Sequence, residues 1–250
     1  MAVEPEAVRP RWIAPQPPRV QRFGATERHL HTIHAVAFVV MTLTGLVLYM
    51  PMLAQIFSSR PLTTAIHLVA AVAWLTALAL VALLGDRRAL RRTRRELERF
   101  DAGDLQWLRR RGGVPSGRFN AGQKAHAILQ ASLALLFTVS GTLLWLGERN
   151  TSLRLPGTIA LHDASMIIAG VLVAGHVWIA LSPSKVPSLH GILRGTVPAA
   201  WAAEQHARWV PDEVRAAPAR PGALRYAVAA LVLTVGALGV AVILGFTHTA

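Results

Sequence analysis

The stretch GTIALHDASMIIAGVLVAGHVWIAL, residues 157 to 181, decides the fold of this chain. It is largely apolar, yet it carries two histidines, His162 and His176, which lie fourteen positions apart. In an α-helix, fourteen residues end about 40° short of four full turns, so both imidazoles leave nearly the same face, roughly 21 Å apart along the axis. One imidazole near each face of a bilayer is what a helix needs to help hold two stacked metal cofactors, of which haem is the usual one.

Each histidine also has a simpler interpretation. An imidazole in a membrane helix can be hydrogen-bonded to a neighbouring helix without holding a cofactor, and for a single histidine the two interpretations have similar weight. Ionisable groups inside a membrane are costly, however, so each is a functional hypothesis by default. Partners at matching depths on other helices would favour the cofactor.

The composition is that of an integral membrane protein. The chain has 250 residues, of which 53% are hydrophobic and 16% charged, its mean hydropathy is +0.41, and it contains no cysteine. Without cysteine there is no disulfide, thiolate-bound iron–sulfur cluster or covalent c-type haem. A redox metal must therefore be coordinated by histidine or methionine. The formal charge of +13 is concentrated beside the apolar spans, which indicates membrane topology and not a nucleic-acid partner.

Five apolar stretches are each long enough to cross a bilayer. They lie at about residues 30 to 50, 61 to 84, 124 to 146, 157 to 181 and 226 to 246. The loops between them alternate in charge: residues 85–122 hold eleven arginines against five acidic residues, whereas the loops on either side hold few charges. Basic loops stay in the cytoplasm, so the pattern predicts a multi-pass protein of the bacterial inner (plasma) membrane with its N-terminus in the cytoplasm and its C-terminus outside.

The chain divides into four predicted regions. No apolar core that would serve as a secretory signal precedes the first span, which is therefore expected to be an uncleaved anchor. The regions are residues 1–28, a cytoplasmic N-terminal segment; residues 29–181, a four-helix haem-binding membrane domain that includes the Arg-rich cytoplasmic loop 85–122; residues 182–222, a cytoplasmic or interfacial tail; and residues 223–250, an additional transmembrane helix with a short outer end.

Spans one and two repeat as spans three and four. RFGATERHLHTIHAVAFVVMTLTGLVLY from Arg22 aligns with RFNAGQKAHAILQASLALLFTVSGTLLW from Arg118 at an offset of 96. At an offset of 95, TTAIH ending at His67 aligns with TIALH ending at His162. Two copies in one orientation predict a parallel repeat about an axis along the membrane normal, with His67 and His162 facing each other across the bundle.

Depth supplies a second pair of histidines. His176 lies near the cytoplasmic end of its span, and His31 lies where span one leaves the cytoplasm. Two same-depth pairs on four helices predict an all-α integral membrane fold: a four-helix transmembrane dihaem bundle built from a parallel two-helix repeat, plus a fifth C-terminal transmembrane helix. His34, three residues after His31 on a similar face, competes with it for the cytoplasmic ligand position.

Other polar and small residues have smaller expected roles. Gly45 and Gly141 fall mid-span, where the missing side chain leaves room either for a macrocycle or for close helix packing. His126 is expected to be packed or interfacial, or to adjoin a cytoplasmic quinone pocket. Asp163 is expected to reach the outer interface. A solvated position is expected for the remaining histidines, His29, His190, His206 and His248.

Four segments of the chain form an ordered set: ERHLH (27–31), SGRFNAGQKAH (116–126), HDASMIIAGVLVAGH (162–176) and HGILRGTVPAAWAAEQHARWV (190–210). Together they resemble the cytochrome b (gamma) subunit of membrane-bound formate dehydrogenases over about residues 22 to 210. In that family the subunit receives electrons from a four-cluster iron–sulfur subunit at the outer face. It passes them through two b haems to quinone, either menaquinone or ubiquinone, near the cytoplasmic face.

The resemblance implies specific ligands and partners. The ligands of the inner haem would be His31 and His176, and those of the outer haem would be His67 and His162. The resemblance thus favours His31 over His34. The implied quinone pocket lies beside the inner haem, near residues Asn120, Gly122, Gln123 and Lys124. The implied partners are the iron–sulfur (beta) subunit and the catalytic molybdopterin (alpha) subunit of formate dehydrogenase, within the lipid bilayer, and a higher oligomer of the complex is compatible with them. Quinone reduction is the only chemistry expected on this chain.

Some features depart from that family's pattern. The fifth span is additional, and its stripe of Ala237, Ala241 and Gly245 suits contact with the bundle or with another subunit. Thr32 replaces an aromatic residue, and Gln205 with His206 replaces a pair of histidines. Two alternatives therefore stay open: the b-type cytochrome of a nickel–iron hydrogenase or related molybdenum oxidoreductase, and a non-redox membrane anchor or transporter whose histidines relay protons.

Overall fold

The computed structural model describes residues 19–56, 59–110, 113–211 and 218–247 of the chain. The first eighteen residues of the predicted N-terminal segment, and residues 248–250 with His248, lie outside this described part. Within it the elements are, in chain order, β1 (Arg19–Gln21), α1 (Ala25–Tyr49), α2 (Pro51–Ile56), α3 (Arg60–Leu84), α4 (Arg87–Glu98), α5 (Ala102–Arg110), α6 (Ala121–Arg149), a 3₁₀ turn (Thr151–Leu153), α7 (Thr158–Leu181), α8 (Val186–Arg194), β2 (Thr196–Pro198), α9 (Ala199–Gln205) and α10 (Ala223–Thr247).

Five of these helices are long and apolar enough to cross a membrane: α1, α3, α6, α7 and α10. They confirm the five predicted spans and the all-α membrane fold. Helices α1 and α6 begin a few residues before their apolar runs, because each starts with a polar cap. The Glu27 carboxylate accepts a hydrogen bond from the N–H of Gly24 at 2.7 Å, and the Gln123 side chain accepts one from the N–H of Asn120 at 3.1 Å.

The membrane helices form two hairpins and an added helix. α1 packs on α3, α6 packs on α7, and α10 packs on α3. Contact between the membrane helices of the two hairpins is sparse and is made mainly by α1 with α7. The end of the bundle that carries residues 85–122, here called the Arg-rich end, also holds α4, which packs on α6 and α1, and α5, which packs on α6. This arrangement leaves space between the two hairpins.

The repeat is visible as reciprocal hydrogen bonding at the Arg-rich end. Arg22 donates to the carbonyl oxygen of Arg118 at 2.8 Å, and Arg118 donates to the carbonyl oxygen of Arg22 at 3.0 Å. The phenylalanines that follow them have ring centres 6.0 Å apart. Arg118 also pairs with Glu27 at 2.9 Å. In the same way, Arg22 contacts Gln123, which is the repeat equivalent of Glu27, at 3.4 Å. Residues that align at an offset of 96 therefore meet each other and join the two hairpins.

A small β-sheet, which the sequence did not predict, fastens the tail to the start of the chain. β1 and β2 pair antiparallel, with Val20 opposite Val197. These two valines and Ala202 form a compact apolar cluster under Trp201 and Trp209. Three-residue strands carry too little alternation to be recognised in a sequence. Their pairing keeps the tail beside the Arg-rich end.

Helix α10 packs on α3 through the face that bears Gly236 and Gly239. A Cβ at Gly236 would clash with the side chain of Thr76, and one at Gly239 would lie 3.4 Å from Val72. Ala237 and Ala241 are exposed instead, and a Cβ at Gly245 would meet nothing within 4 Å. The closest approach to α3 is made by the face that bears Gly236, so the predicted stripe does not pack on α3, and its contact with another subunit stays a prediction.

Candidate functional site

His67 on α3 and His162 on α7 face each other across the bundle. Their ring centres are 6.3 Å apart, with an angle of 67° between the ring planes. The Nδ1 atom of His67 lies 2.8 Å from Thr44 Oγ1, and the Nδ1 atom of His162 lies 2.8 Å from Ser140 Oγ. Thr44 and Ser140 are themselves equivalent at the offset of 96, so the two halves of this pair are built alike. Asp163, next to His162, is half-buried.

His31 on α1 and His176 on α7 form a second pair at the Arg-rich end. Their ring centres are 6.4 Å apart, with an interplanar angle of 47°. Two imidazoles bound to opposite sides of one metal ion, with metal–nitrogen bonds of about 2 Å, have ring centres about 6.3 Å apart. Both pairs therefore have the separation of trans axial ligands, which is longer than that of rings in direct contact.

The other histidines at the Arg-rich end have different geometry. His126 is stacked on His176 with ring centres 4.7 Å apart and planes within 8° of parallel, which leaves no room for an ion between them. The ring of His34 packs against Trp74 at 5.6 Å. His29 is exposed, as expected. Among these residues, His31 is the one that stands at the trans-ligand distance from His176.

The helix faces beside the His67–His162 pair carry glycine. A Cβ built on Gly45 would lie 3.6 Å from Cε1 of His67, and one built on Gly141 would lie 3.5 Å from Cε1 of His162. A side chain at either position would fill the space next to an imidazole. The residues present therefore fit a macrocycle between the hairpins. In the part of the chain that the structure describes, no group of three or more histidines and carboxylates would hold a bare metal ion, whereas two imidazoles suffice for haem iron.

A cavity of about 1420 Å³ opens at the Arg-rich end. It exceeds the roughly 300 to 1,000 Å³ usual for a single small-molecule pocket, so it has room for a macrocycle and a second ligand. Residues from both hairpins and from the tail line it, among them His31, His126, His176, Asn120, Gly122, Gln123, Glu27 and His206. Lys124, which was predicted beside the quinone, is not part of this lining, and its ammonium pairs with the buried Asp104 at 2.6 Å.

Two amide side chains present hydrogen-bond donors to this cavity. The side-chain oxygen of Asn120 accepts from the N–H of Gln123 at 2.9 Å, and the side-chain oxygen of Gln123 accepts from the N–H of Asn120. These bonds assign the oxygen and nitrogen of each amide. Within the described residues neither NH₂ group has a hydrogen-bond partner. Both remain available to a carbonyl oxygen of a ligand.

His206, which was expected to be solvated, is 3% exposed. Its Nδ1 donates to the carbonyl oxygen of Gly117 at 2.7 Å and lies 3.2 Å from Ser116 Oγ. The prediction was wrong because these partners belong to a loop about ninety residues earlier in the chain, which the tail reaches only through β2 and α9. Burial, with the charge of Arg22, lowers the pKa of His206 to about 4.

We expect His206 to make stability fall in mild acid. In the unfolded chain its pKa is about 6.5, so the unfolded state binds the proton first and the folded state loses stability as the pH falls from 6.5 towards 4. Between pH 7 and pH 5 the loss is about 2 kcal/mol from this residue. Thermal unfolding of His206→Gln should depend less on pH over this interval, and His29→Gln should behave as the wild type. Equal pH dependence in His206→Gln and the wild type would contradict this.

Two comparisons with known proteins bear on the same residues. Residues 22–195 match the model of the family described as prokaryotic cytochrome b561. This range contains both histidine pairs and ends before α10. The chain is also similar to the formate dehydrogenase cytochrome b556 subunit of Haemophilus influenzae, with 26% identity over 207 residues, which cover 78% of this chain and 84% of that relative.

Proposed function

The chain belongs to the prokaryotic cytochrome b561 family, and on that basis we propose that it is the membrane cytochrome b subunit of a formate dehydrogenase complex. Family membership implies b-type haem. The proposal adds that there are two haems, one on His67 and His162 and one on His31 and His176, and that quinone is reduced beside the second. The observation that carries it is the trans-ligand spacing of both pairs, 6.3 and 6.4 Å.

The side chains of this protein bind and separate the cofactors. When bound, the haems supply one-electron carriers at two depths of the membrane, a chemistry that the side chains lack. Each haem would be held by two histidines, and iron held in this way would suit electron transfer and not oxygen binding. The sparse contact between the two hairpins accommodates the macrocycles, and the Arg22–Arg118 junction keeps the hairpins in register.

Quinone is proposed to bind in the cavity at the Arg-rich end. The NH₂ groups of Asn120 and Gln123 would donate hydrogen bonds to a quinone carbonyl oxygen, which stabilises the negative charge that develops there on reduction. Gly122 lets the ring of Trp107 pack closely against the start of α6, since a Cβ there would lie 2.9 Å from that ring. His126 lies in the same lining.

The electron donor and the orientation are part of the same proposal. The relative from Haemophilus influenzae is named as a formate dehydrogenase subunit, which supports an iron–sulfur (beta) subunit as the donor and a molybdopterin (alpha) subunit as the source of electrons. The charge of the loops supports a cytoplasmic position for the Arg-rich end, where the quinone would bind. The donor would then meet the outer end, near His67 and His162. The domain limits given from the sequence remain a prediction.

We expect two isosteric substitutions to separate quinone chemistry from haem binding. Asn120→Asp and Gln123→Glu keep the oxygen that caps α6 but replace the NH₂ donor with a second oxygen. Each should slow quinol-dependent haem reduction by about 10-fold or more, the effect of losing one donor to a developing oxyanion, while haem content stays at the wild-type level.

Gln106→Glu is the matched control, because it adds the same charge on an exposed residue of α5 outside the cavity lining. It should keep wild-type kinetics. Unchanged quinol kinetics in both Asn120→Asp and Gln123→Glu would remove these residues from the quinone site.

A further inference from the structure

Two hydroxyl groups at equivalent places in the repeat contact the His67–His162 pair. Thr44 Oγ1 on α1 lies 2.8 Å from Nδ1 of His67, and Ser140 Oγ on α6 lies 2.8 Å from Nδ1 of His162. Ser140 is 1% exposed. Each histidine therefore has one ring nitrogen held by the helix that precedes it in its own hairpin.

The direction of these hydrogen bonds follows from the rest of the contacts. Thr44 Oγ1 donates to the carbonyl oxygen of Val40 at 2.8 Å, and Ser140 Oγ donates to the carbonyl oxygen of Leu136 at 2.6 Å. A hydroxyl has a single proton, so towards the imidazole it acts as an acceptor. Nδ1 of His67 and of His162 must then carry the hydrogen, which leaves the lone pair on Nε2 in both rings.

We propose that Thr44 and Ser140 are positioning residues for the outer haem ligands, an inference that rests on the proposed function. They select the Nδ1–H tautomer of His67 and His162 and so present Nε2 to the iron. Each hydroxyl oxygen also accepts a hydrogen bond from Nδ1–H, and this bond makes Nε2 of the same ring a stronger base. A stronger base stabilises oxidised iron more than reduced iron, because the oxidised form carries the larger positive charge. The two hydroxyls thereby lower the reduction potential at this pair.

The other pair lacks this support. Within the described residues, no hydrogen bond reaches a ring nitrogen of His31 or His176, and His176 is instead held by stacking on His126. Ligands of the same type thus stand in different surroundings at the two ends of the bundle. The hydroxyls therefore lower the potential at the His67–His162 pair and have no counterpart at the other pair, a difference that favours electron transfer towards the quinone end.

The test is a redox titration of the purified protein with its haems, followed by b-type absorption. Thr44→Val keeps the shape of the side chain and removes the hydroxyl, and Ser140→Ala does the same on α6. Each should raise the midpoint potential of one component, the one that is absent in His67→Ala, and leave the other component unchanged. Thr44→Ser restores the hydroxyl and should return the potential to the wild-type value.

Thr142→Val is the control, because Thr142 is exposed and its hydroxyl donates only to the carbonyl oxygen of Thr138, at 2.7 Å. Both components should keep their potentials in this variant. Thr44→Val could instead lose the component that is absent in His67→Ala. In that case, retention of this component in Thr44→Ser would support the inference, and its loss in both variants would overturn it.

No shift, a downward shift, or a shift of the component retained in His67→Ala would also overturn the inference. Failure of the proposed function has a different signature, since the wild-type protein would then lack two b-type components before any hydroxyl is changed.

Discussion

Replacing His67 with alanine is expected to halve the haem content of the purified protein. An axial imidazole is lost from one iron, and His162 alone holds the macrocycle too weakly to survive purification. The second haem should be unaffected, since its proposed ligands His31 and His176 lie at the other end of the bundle, about 21 Å away along α7 by helix rise. Haem extraction with quantification against protein concentration is the measurement.

The pairing of His67 with His162 can be tested by combining substitutions. His162→Ala should remove the same haem as His67→Ala, so the double variant should still contain one haem per chain, because two changes at one site are not additive. His31→Ala should remove the other haem, whereas His34→Ala should retain both. His29→Ala, on an exposed residue, is the matched control. Loss of both haems in the His67→Ala, His162→Ala double variant, with one haem left in each single variant, would contradict the pairing.

Replacing Arg118 with methionine should be the most destabilising change at the Arg-rich end. Its side chain is 2% exposed, and it pairs with Glu27, which is 4% exposed, and with Glu96 at 2.6 Å. Breaking a buried ion pair by removing one partner costs about 3 to 5 kcal/mol, because the buried carboxylate of Glu27 loses the positive charge of Arg118. For a chain of this size that is a fall of roughly 10 °C or more in the unfolding temperature. Thermal unfolding in detergent checks it.

Two further variants test the cause of that loss. Arg94→Met breaks an exposed pair with Glu98 on α4 and should leave the unfolding temperature nearly unchanged, since exposed ion pairs contribute little. Adding Glu27→Gln to Arg118→Met should recover part of the stability, because the buried side chain that lost the Arg118 charge is then neutral. Equal unfolding temperatures for Arg118→Met and Arg94→Met would show that the junction does not hold the hairpins together.

The membrane helices and the histidine pairs followed from the sequence for physical reasons. Spans of about twenty apolar residues have few alternatives to a membrane helix, so five were predicted, and the described part of the chain contains five. The repeat offsets brought His67 opposite His162 because equivalent residues of a parallel repeat meet at its axis. The choice between His31 and His34 did not follow from spacing. Side chains three residues apart in a helix point only about 60° away from each other, so both lie on a similar face.

Other features depended on contacts between distant segments. Arg22 and Arg118 carry like charges, and from the sequence they were interpreted only as basic residues that indicate membrane topology. In the structure each donates a hydrogen bond to the other's carbonyl oxygen. The alignment also matched Arg28 with Lys124, yet Arg28 donates to the carbonyl oxygen of Leu193 and Lys124 pairs with Asp104. Burial of such groups is decided by partners from other segments, which hydropathy and spacing do not reveal.

The most direct measurement is the haem content of the purified wild-type protein together with its reduced-minus-oxidised absorption spectrum. Two histidine pairs at the trans-ligand spacing predict two non-covalently bound b haems per chain, with b-type difference bands that titrate as two components. A protein that folds in the membrane with no haem, or with a single haem that survives both His67→Ala and His31→Ala, would contradict the dihaem bundle.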